Sequence, residues 1–374
     1  MTIEERHLTD EELKPYFEAL DIPLAKINDN ARVAALIMQQ TDPEHGYPRL
    51  IRNMKTFSQS LSTNLIVDTI PLRLVLNKTR RQSLTSVTFE KTDNLTPPCF
   101  LCQLDQGQRG ILILDNQFIV LTNPGITLPG DLTIAAKEHQ PQLIRGRFGY
   151  MLQIAELLPS FSIYFNGPLA GASSPHFHFQ ASYKDKLPGE QQIQQLLAGK
   201  NVGNARLRKI IKRNELEVYN VENFLRSTQL VVAKERNRLD DFFAFYLTKL
   251  AEISTAIKGL PNIPDFGTLI TSLGELETEP RLNIMVKYYP AYQAYIAGFF
   301  PKRFNRPQFY FKQSRAQIIL GMAIKEALGN LITCRQTDYN RLQKRLDLVR
   351  QAYADTTITS AMEMEFLQRL KELS

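Results

Sequence analysis

Histidine, phenylalanine, histidine, phenylalanine and glutamine alternate from His176 to Gln180. Side chains of an extended chain point to opposite faces with a period of two. The run is therefore a strand, with His176, His178 and Gln180 on one face and Phe177 and Phe179 on the other. Just upstream stand Asn166-Gly167-Pro168 and then Gly171-Ala172-Ser173-Ser174-Pro175, small residues that let a loop fold tightly against a ligand. Two imidazoles and an amide on one polar face, fed by such a loop, suit an anion and a nucleophile. The plainer alternative is a half-buried edge strand whose histidines only hydrogen-bond. Against it, three of the five histidines fall into one pattern with the closely spaced pair Cys99 and Cys102.

A chain of 374 residues can form one large or two moderate domains, and a composition of 43% hydrophobic and 22% charged residues is that of a globular protein. The formal charge of +7 suits small polyanions such as nucleotides and is too weak to require nucleic acid. The densest basic run, Arg206–Arg213, carries apolar residues at helical or strand spacing and reads first as a solvated face, second as a phosphate-contacting loop. The first residues have no apolar core or cleavage-site pattern, and no stretch approaches the roughly 20 apolar residues of a membrane span. Three cysteines make no disulfide framework, so the expected compartment is the reducing cytoplasm.

Along the chain, Thr9-Asp10-Glu11-Glu12 reads as a capping-box helix start and Asn28–Gln40 as a second helix. His7 and His45 read as ordinary surface histidines. Strand periodicity begins at Leu61 and covers Asn64–Val67, Pro71–Leu76, Ser86–Phe89, Phe118–Pro124 and Gly130–Ala135. Arg73 alternates with apolar neighbours, as a rim residue or as an arginine that meets phosphate. The motif Pro97-Pro98-Cys99-Phe100-Leu101-Cys102 brings two thiols to one tight turn. Such a pair can ligate Zn²⁺, work as a redox couple or simply be buried. Residues 186–215 read as a polar, helix-prone excursion. After it come a strand at Leu230–Ala233, a helix at Leu239–Ile257 and strands at Asn283–Val286 and Tyr295–Pro301. The tail beyond Ile318 reads as helical, with Cys334 a buried small hydrophobe.

The segment NGPLAGASSPHFHFQ, Asn166 to Gln180, resembles the active-site segment of the histidine-triad superfamily. It is most similar to the transferase branch that holds galactose-1-phosphate uridylyltransferase, diadenosine-tetraphosphate phosphorylase and GDP-hexose phosphorylase, and within it to a bacterial group. The resemblance extends upstream over roughly Pro71–Gln142 and implies an α+β, histidine-triad-like fold. Such a fold has two related half-folds, each an antiparallel sheet with packed helices. It implies an N-terminal helical extension at 1–60 and a catalytic half at 61–185. A connecting segment and degenerate second half would follow at 186–320, then C-terminal helices at 321–374.

The same resemblance implies a function: a nucleotidyltransferase or phosphorylase that cleaves a nucleotide sugar or dinucleoside polyphosphate through a nucleotidyl-histidine. His178 would be the nucleophile and Gln180 would donate to a phosphoryl oxygen. Asn166, Ser173, Asn123 and Arg73 would contact substrate, helped by the N–H groups of Gly171–Ser174. Cys99, Cys102, His139 and His176 would hold one structural zinc. Asp131 departs from the pattern, since superfamily members commonly have histidine there. Glutamine cannot replace histidine as a general acid or base, which favours transfer to phosphate or a sugar phosphate over hydrolysis. A hydrolase of the same superfamily and a non-catalytic nucleotide-binding protein are the alternatives. The expected partners are a nucleotide substrate and a phosphate-bearing acceptor, with neither nucleic acid nor membrane, acting on a monomer or homodimer.

Overall fold

The computed structural model describes residues 3–81, 84, 99–254 and 279–373. The chain opens with α1 (Asp10–Ala19), α2 (Asp29–Thr41) and α3 (Pro48–Phe57). Thr9 and Glu12 form the expected capping box on α1, and the Asn28 side chain accepts from the N–H of Ala31 at the start of α2. Leu13 and Phe17 of α1 and Val33 and Leu36 of α2 are buried in the largest hydrophobic cluster.

That cluster lies on one face of a ten-stranded antiparallel sheet. The first five strands are β3 (Gly110–Ile113), β4 (Phe118–Thr122), β5 (Leu132–Ala136), β6 (Phe161–Asn166) and β7 (His178–Tyr183). The second five are β8 (Arg206–Arg213), β9 (Leu216–Glu222), β10 (Gln229–Ala233), β11 (Leu282–Tyr289) and β12 (Ala294–Pro301). The spatial order is β3-β4-β5-β7-β6-β11-β12-β10-β9-β8. Each half has three strands in succession, then a helix, then a hairpin-like pair whose first member ends at the centre. The helices in that place are α4 (Phe148–Leu157) and α5 (Arg236–Ser254). The two half-folds are thus present, and their sheets are fused through β6 and β11, paired from Ile163↔Val286 to Asn166↔Asn283.

A separate three-stranded sheet covers part of the opposite face. It joins β1 (Leu61–Val67) and β2 (Ile70–Leu76) to β13 (Asn330–Thr333), which runs parallel to β2. Leu65, Leu72 and Leu331 from this sheet share a cluster with Tyr164, Met285 and Phe300 from the large one. The second strand of the half expected to start at residue 61 therefore pairs with the tail, with β1 on its other side, and that tail contains a strand where helix alone was expected. Arg206–Arg213 is likewise a strand at the sheet's edge, its charged side chains exposed to solvent. His7 is half-buried and its Nδ1 accepts from the N–H of Leu112, so it ties the N-terminus to β3 and is no ordinary surface residue. Cys334 is buried as expected. The runs Ser86–Phe89 and Pro97-Pro98, and the last residues of the helix expected to reach Ile257, lie outside the described residues. No described helix is long and apolar enough to cross a membrane.

The tail is locked onto the first half by a buried ion pair. Lys325 Nζ lies 2.6 Å from Asp131 Oδ1, while Asp131 Oδ2 accepts from the N–H groups of Thr127 and Leu128 and from the Thr127 hydroxyl. Removing one member of such a pair strands the other charge, at a cost of about 3–5 kcal/mol. Lys325→Met should therefore lower unfolding free energy by about that amount. Adding Asp131→Asn should recover most of the loss, a double-mutant cycle readable by denaturant titration.

Candidate active site and metal cluster

Between β6 and β7 the chain makes the loop Gly167–Phe177, and its shape is set by close packing. Gly171 has φ +112, and a Cβ there would stand 2.7 Å from the Cβ of Ala323, so only glycine fits against the tail. Ser174 Oγ accepts the N–H of His176 at 3.2 Å and lies 3.7 Å from Cys99 Sγ. The cysteine turn closes through Cys102 N–H to the Cys99 carbonyl, and Leu101 between them is buried against Ile119, Leu121 and Ala135. A strip at residues 140–142 runs beside 175–178: Phe177 N–H donates to the Gln140 carbonyl and Gln142 N–H to the Pro175 carbonyl. That strip carries His139 to the cysteines.

The four residues assigned by sequence to a metal meet in one place. Cys102 Sγ lies 3.1 Å from His139 Nδ1 and 3.3 Å from His176 Nδ1, and Cys99 Sγ lies 3.6 Å from the latter. All four ligand atoms fall within 4.8 Å of one another. Bond lengths of 2.0–2.3 Å in a tetrahedral shell imply donor separations of about 3.3–3.8 Å, and the three sulfur–nitrogen distances of 3.1, 3.3 and 3.6 Å lie close to that. His176 is fully buried, and its Nε2 can only donate to the Ala136 carbonyl 2.7 Å away. Its Nδ1 lone pair therefore faces the sulfurs, the tautomer that a metal requires. Burial opposes the Cys99 thiolate, but its contacts with His176, Ser174 and the turn backbone outweigh it and bring that thiol down to about 6. Burial and the neighbouring Cys99 push Cys102 up to about 11.

His178 begins β7 and is 3% exposed. Its Nδ1–H donates to the His176 carbonyl at 2.8 Å, since a carbonyl can only accept, and Nε2 keeps its lone pair. Burial, which outweighs that hydrogen bond, brings the imidazole down to about 4. Asn166 closes β6 beside it: its Oδ1 accepts the N–H of Ile324 at 2.8 Å and its Nδ2 reaches Gln180 Oε1 at 3.5 Å. The structure thus brings His178, Asn166 and Gln180 together, with Phe177 and Phe179 on the opposite, core face.

The remaining sequence candidates lie further out. Ser173 is exposed, while its buried neighbour Ser174 attends the cysteines. The N–H of Ala172 is taken by the Gly167 carbonyl at 3.3 Å, so it is not presented to a ligand. Asn123 Oδ1 accepts from Gly125 N–H in a local turn. The register Thr122↔Leu132↔Ala181 puts that turn at least three residues along and two strands across from His178, about 14 Å away. Arg73 donates from Nε to Asn330 Oδ1 at 2.7 Å, within the smaller sheet. Asp131, flagged as a departure, is the partner of Lys325.

Two residues escaped the sequence reading. Gln142 is fully buried and its amide ties the site together. Its Oε1 accepts the N–H of His178 at 2.7 Å, and its Nε2 donates to the carbonyls of Asn166 and His178 at 3.0 Å each. Asn283 stands opposite Asn166 in register, hence on the same face, and neither atom of its buried amide has a partner among the described residues. Neither sits in a spacing pattern, so only the pairing of strands reveals them.

Residues 37–183 match a family described as a domain of unknown function (DUF4922). No curated protein matches the chain. Among solved structures, yeast Ap4A phosphorylase Apa2 in complex with AMP is 12% identical, covers 87% of this chain and 98% of its own, and superposes with a TM-score of 0.52. The same enzyme in complex with Ap4A gives 11% identity, coverage of 88% and 97%, and a TM-score of 0.50. The chain has the fold of that phosphorylase, a histidine-triad-like fold.

The Gln142 bridge should be essential to the start of β7. Gln142→Leu leaves the amide of His178 and two carbonyls without partners, each worth about 1–3 kcal/mol when buried. Unfolding free energy should fall by at least about 2 kcal/mol, and amide hydrogen exchange at His178 should accelerate before that of β11.

Proposed function

We propose that this chain is a nucleotidyl-transferring enzyme of the phosphorylase type, working through His178 while a zinc ion at the cysteine cluster holds the site's frame. The observation that carries the reading is the fixed tautomer of His178, whose Nδ1–H is engaged by the His176 carbonyl while Nε2 keeps a lone pair beside Asn166 and Gln180. Yeast Ap4A phosphorylase, whose fold this chain shares, was solved with AMP and with Ap4A, which supports a nucleotide as the substrate class.

Phosphoryl oxygens repel nucleophiles, so the site must supply both an aligned attacking atom and hydrogen-bond donors. The Nε2 lone pair attacks the α-phosphorus of a nucleotide. A P–N bond forms, the P–O bond to the leaving phosphate or sugar phosphate breaks, and that group departs with the electron pair. The imidazole is now cationic and a good leaving group. An oxygen of inorganic phosphate or of a sugar phosphate then attacks the same phosphorus, the P–N bond breaks, and neutral His178 is restored. Amide groups of Asn166 and Gln180 hold the non-bridging oxygens, with the N–H groups of Gly171, Ser173 and Ser174 on the loop side. The buried amide of Asn283 extends this donor set from the second half.

Zinc would supply no chemistry to the reaction: a closed Cys₂His₂ shell keeps no open position. Its part is to clamp the cysteine turn, residue 139 and the strand that bears His178. Purified protein should carry about one zinc per chain, and Cys99→Ser should release it and lower the melting temperature. Metal analysis of untreated protein decides this; zinc-free protein of full stability would sink it.

The reaction itself is tested with α-labelled dinucleoside polyphosphates and nucleotide sugars, each with phosphate or a hexose 1-phosphate and read by mass spectrometry. His178→Ala should abolish turnover and leave zinc and fold intact, whereas His176→Ala should damage both. Without acceptor, label should remain on the protein as an acid-labile, base-stable adduct that peptide mapping assigns to residue 178. Gln180→His should divert product towards hydrolysis. Full activity in His178→Ala, or an adduct elsewhere, would refute the mechanism.

A further inference from the structure

The second half holds a buried cationic cavity that the proposed reaction does not use. Arg226 lies in the turn between β9 and β10 and is 6% exposed. Its Nη1 donates to the Phe224 carbonyl at 3.1 Å, and the guanidinium lies 3.8 Å from the centroid of the Phe224 ring. Its Nε and Nη2 have no acceptor among the described residues. Lys302, also 6% exposed, follows β12 and donates to the Met322 carbonyl.

Both cations line one cavity with Ser227, Tyr353 and Thr357, and no carboxylate is among its described lining. The Ser227 hydroxyl is committed to Glu363, but the Thr357 hydroxyl accepts from Ser227 N–H and keeps its own proton to donate. Glu326 acts on Lys302 by charge alone, is opposed there by Arg306, and does not line the cavity. Burial draws Lys302 down to about 7 and Arg226 to about 10, the response of charges that lack a counter-ion. The space admits a single water-sized body. Water would offer lone pairs without charge, and a polyatomic oxyanion would not fit.

We infer that this cavity is a binding site for one halide-sized monovalent anion, held between the guanidinium of Arg226 and the ammonium of Lys302. The anion accepts from the two unpartnered nitrogens of Arg226, Nε and Nη2, and neutralises Lys302 without displacing the Met322 carbonyl. Its place gives it a structural consequence. Met322 lies two residues before Ile324, whose N–H is held by Asn166, and the intervening Ala323 packs on Gly171. Because β6 and β11 run antiparallel, the end of β12 lies on the same sheet edge as Asn166, two strands away, roughly 10 Å. An occupied cavity thus steadies the strip of tail on which the catalytic loop rests.

The test compares thermal unfolding in sodium chloride, sodium gluconate and sodium phosphate at matched ionic strength, with crystals grown in sodium bromide. Chloride should raise the midpoint in a saturable way that gluconate and phosphate do not reproduce. An anomalous bromide peak should stand between Arg226 and Lys302. Arg226→Met should erase the chloride increment, and Lys302→Gln should weaken it, which keeps the comparison open should the first variant not fold. Equal midpoints in chloride and gluconate, stabilisation by phosphate alone, or a cavity that holds water and no bromide would each overturn the inference. None of these readouts depends on turnover, so their failure leaves the nucleotidyl-transfer reading untouched.

Discussion

Four residue pairs between β6 and β11 decide most of what this molecule can be. All six residues of β6 and the first six of β11 are buried, so neither strand is a viable sheet edge alone. Their antiparallel pairing sets the start of β11 beside the end of β6, where Gly167 N–H continues the ladder to the Leu282 carbonyl. The second half is thereby delivered to the strand next to the one that bears His178, and Asn283 is placed opposite Asn166.

Repeating the same five-strand plan makes the differences between the halves instructive. In the first, the link between the central strand and its hairpin partner is the eleven-residue loop 167–177 that packs against the cysteines and leads into His178. In the second, β11 and β12 are joined by residues 290–293, a tight turn ending with Gln293 in the left-handed region at φ +46. A turn of that size cannot wrap a phosphoryl group. The second half instead uses its length to bury β6 and to hold the tail.

What could be read from sequence was what is local. Period-two alternation identified the strand at His178 and the face that its Phe neighbours bury, and the Thr9–Glu12 box located α1 to the residue. Cys99, Cys102, His139 and His176 were assembled only by resemblance, yet the four converge. Pairings across hundreds of residues left no local trace. Arg73 was read correctly as a strand residue, but its partner is Asn330, 257 positions away, in a short β13 hidden inside a tail of helical appearance. Gln142 carries a lone amide whose importance arises only from the two backbones it happens to bridge. Charge misled in the same way: Lys325, an unremarked lysine, proved to be the counter-ion of Asp131.

The hydrogen bond from Ile324 N–H to Asn166 joins residues 158 positions apart, and β13 reaches back still further to β2. During synthesis the first half can collapse around its own cysteines while the ribosome is still extending the chain. Its asparagine, however, lacks its backbone donor until residue 324 has emerged from the exit tunnel. A nascent chain would therefore have His178 on its strand long before the pocket around Asn166 is finished, and closure of that pocket becomes one of the last events of synthesis.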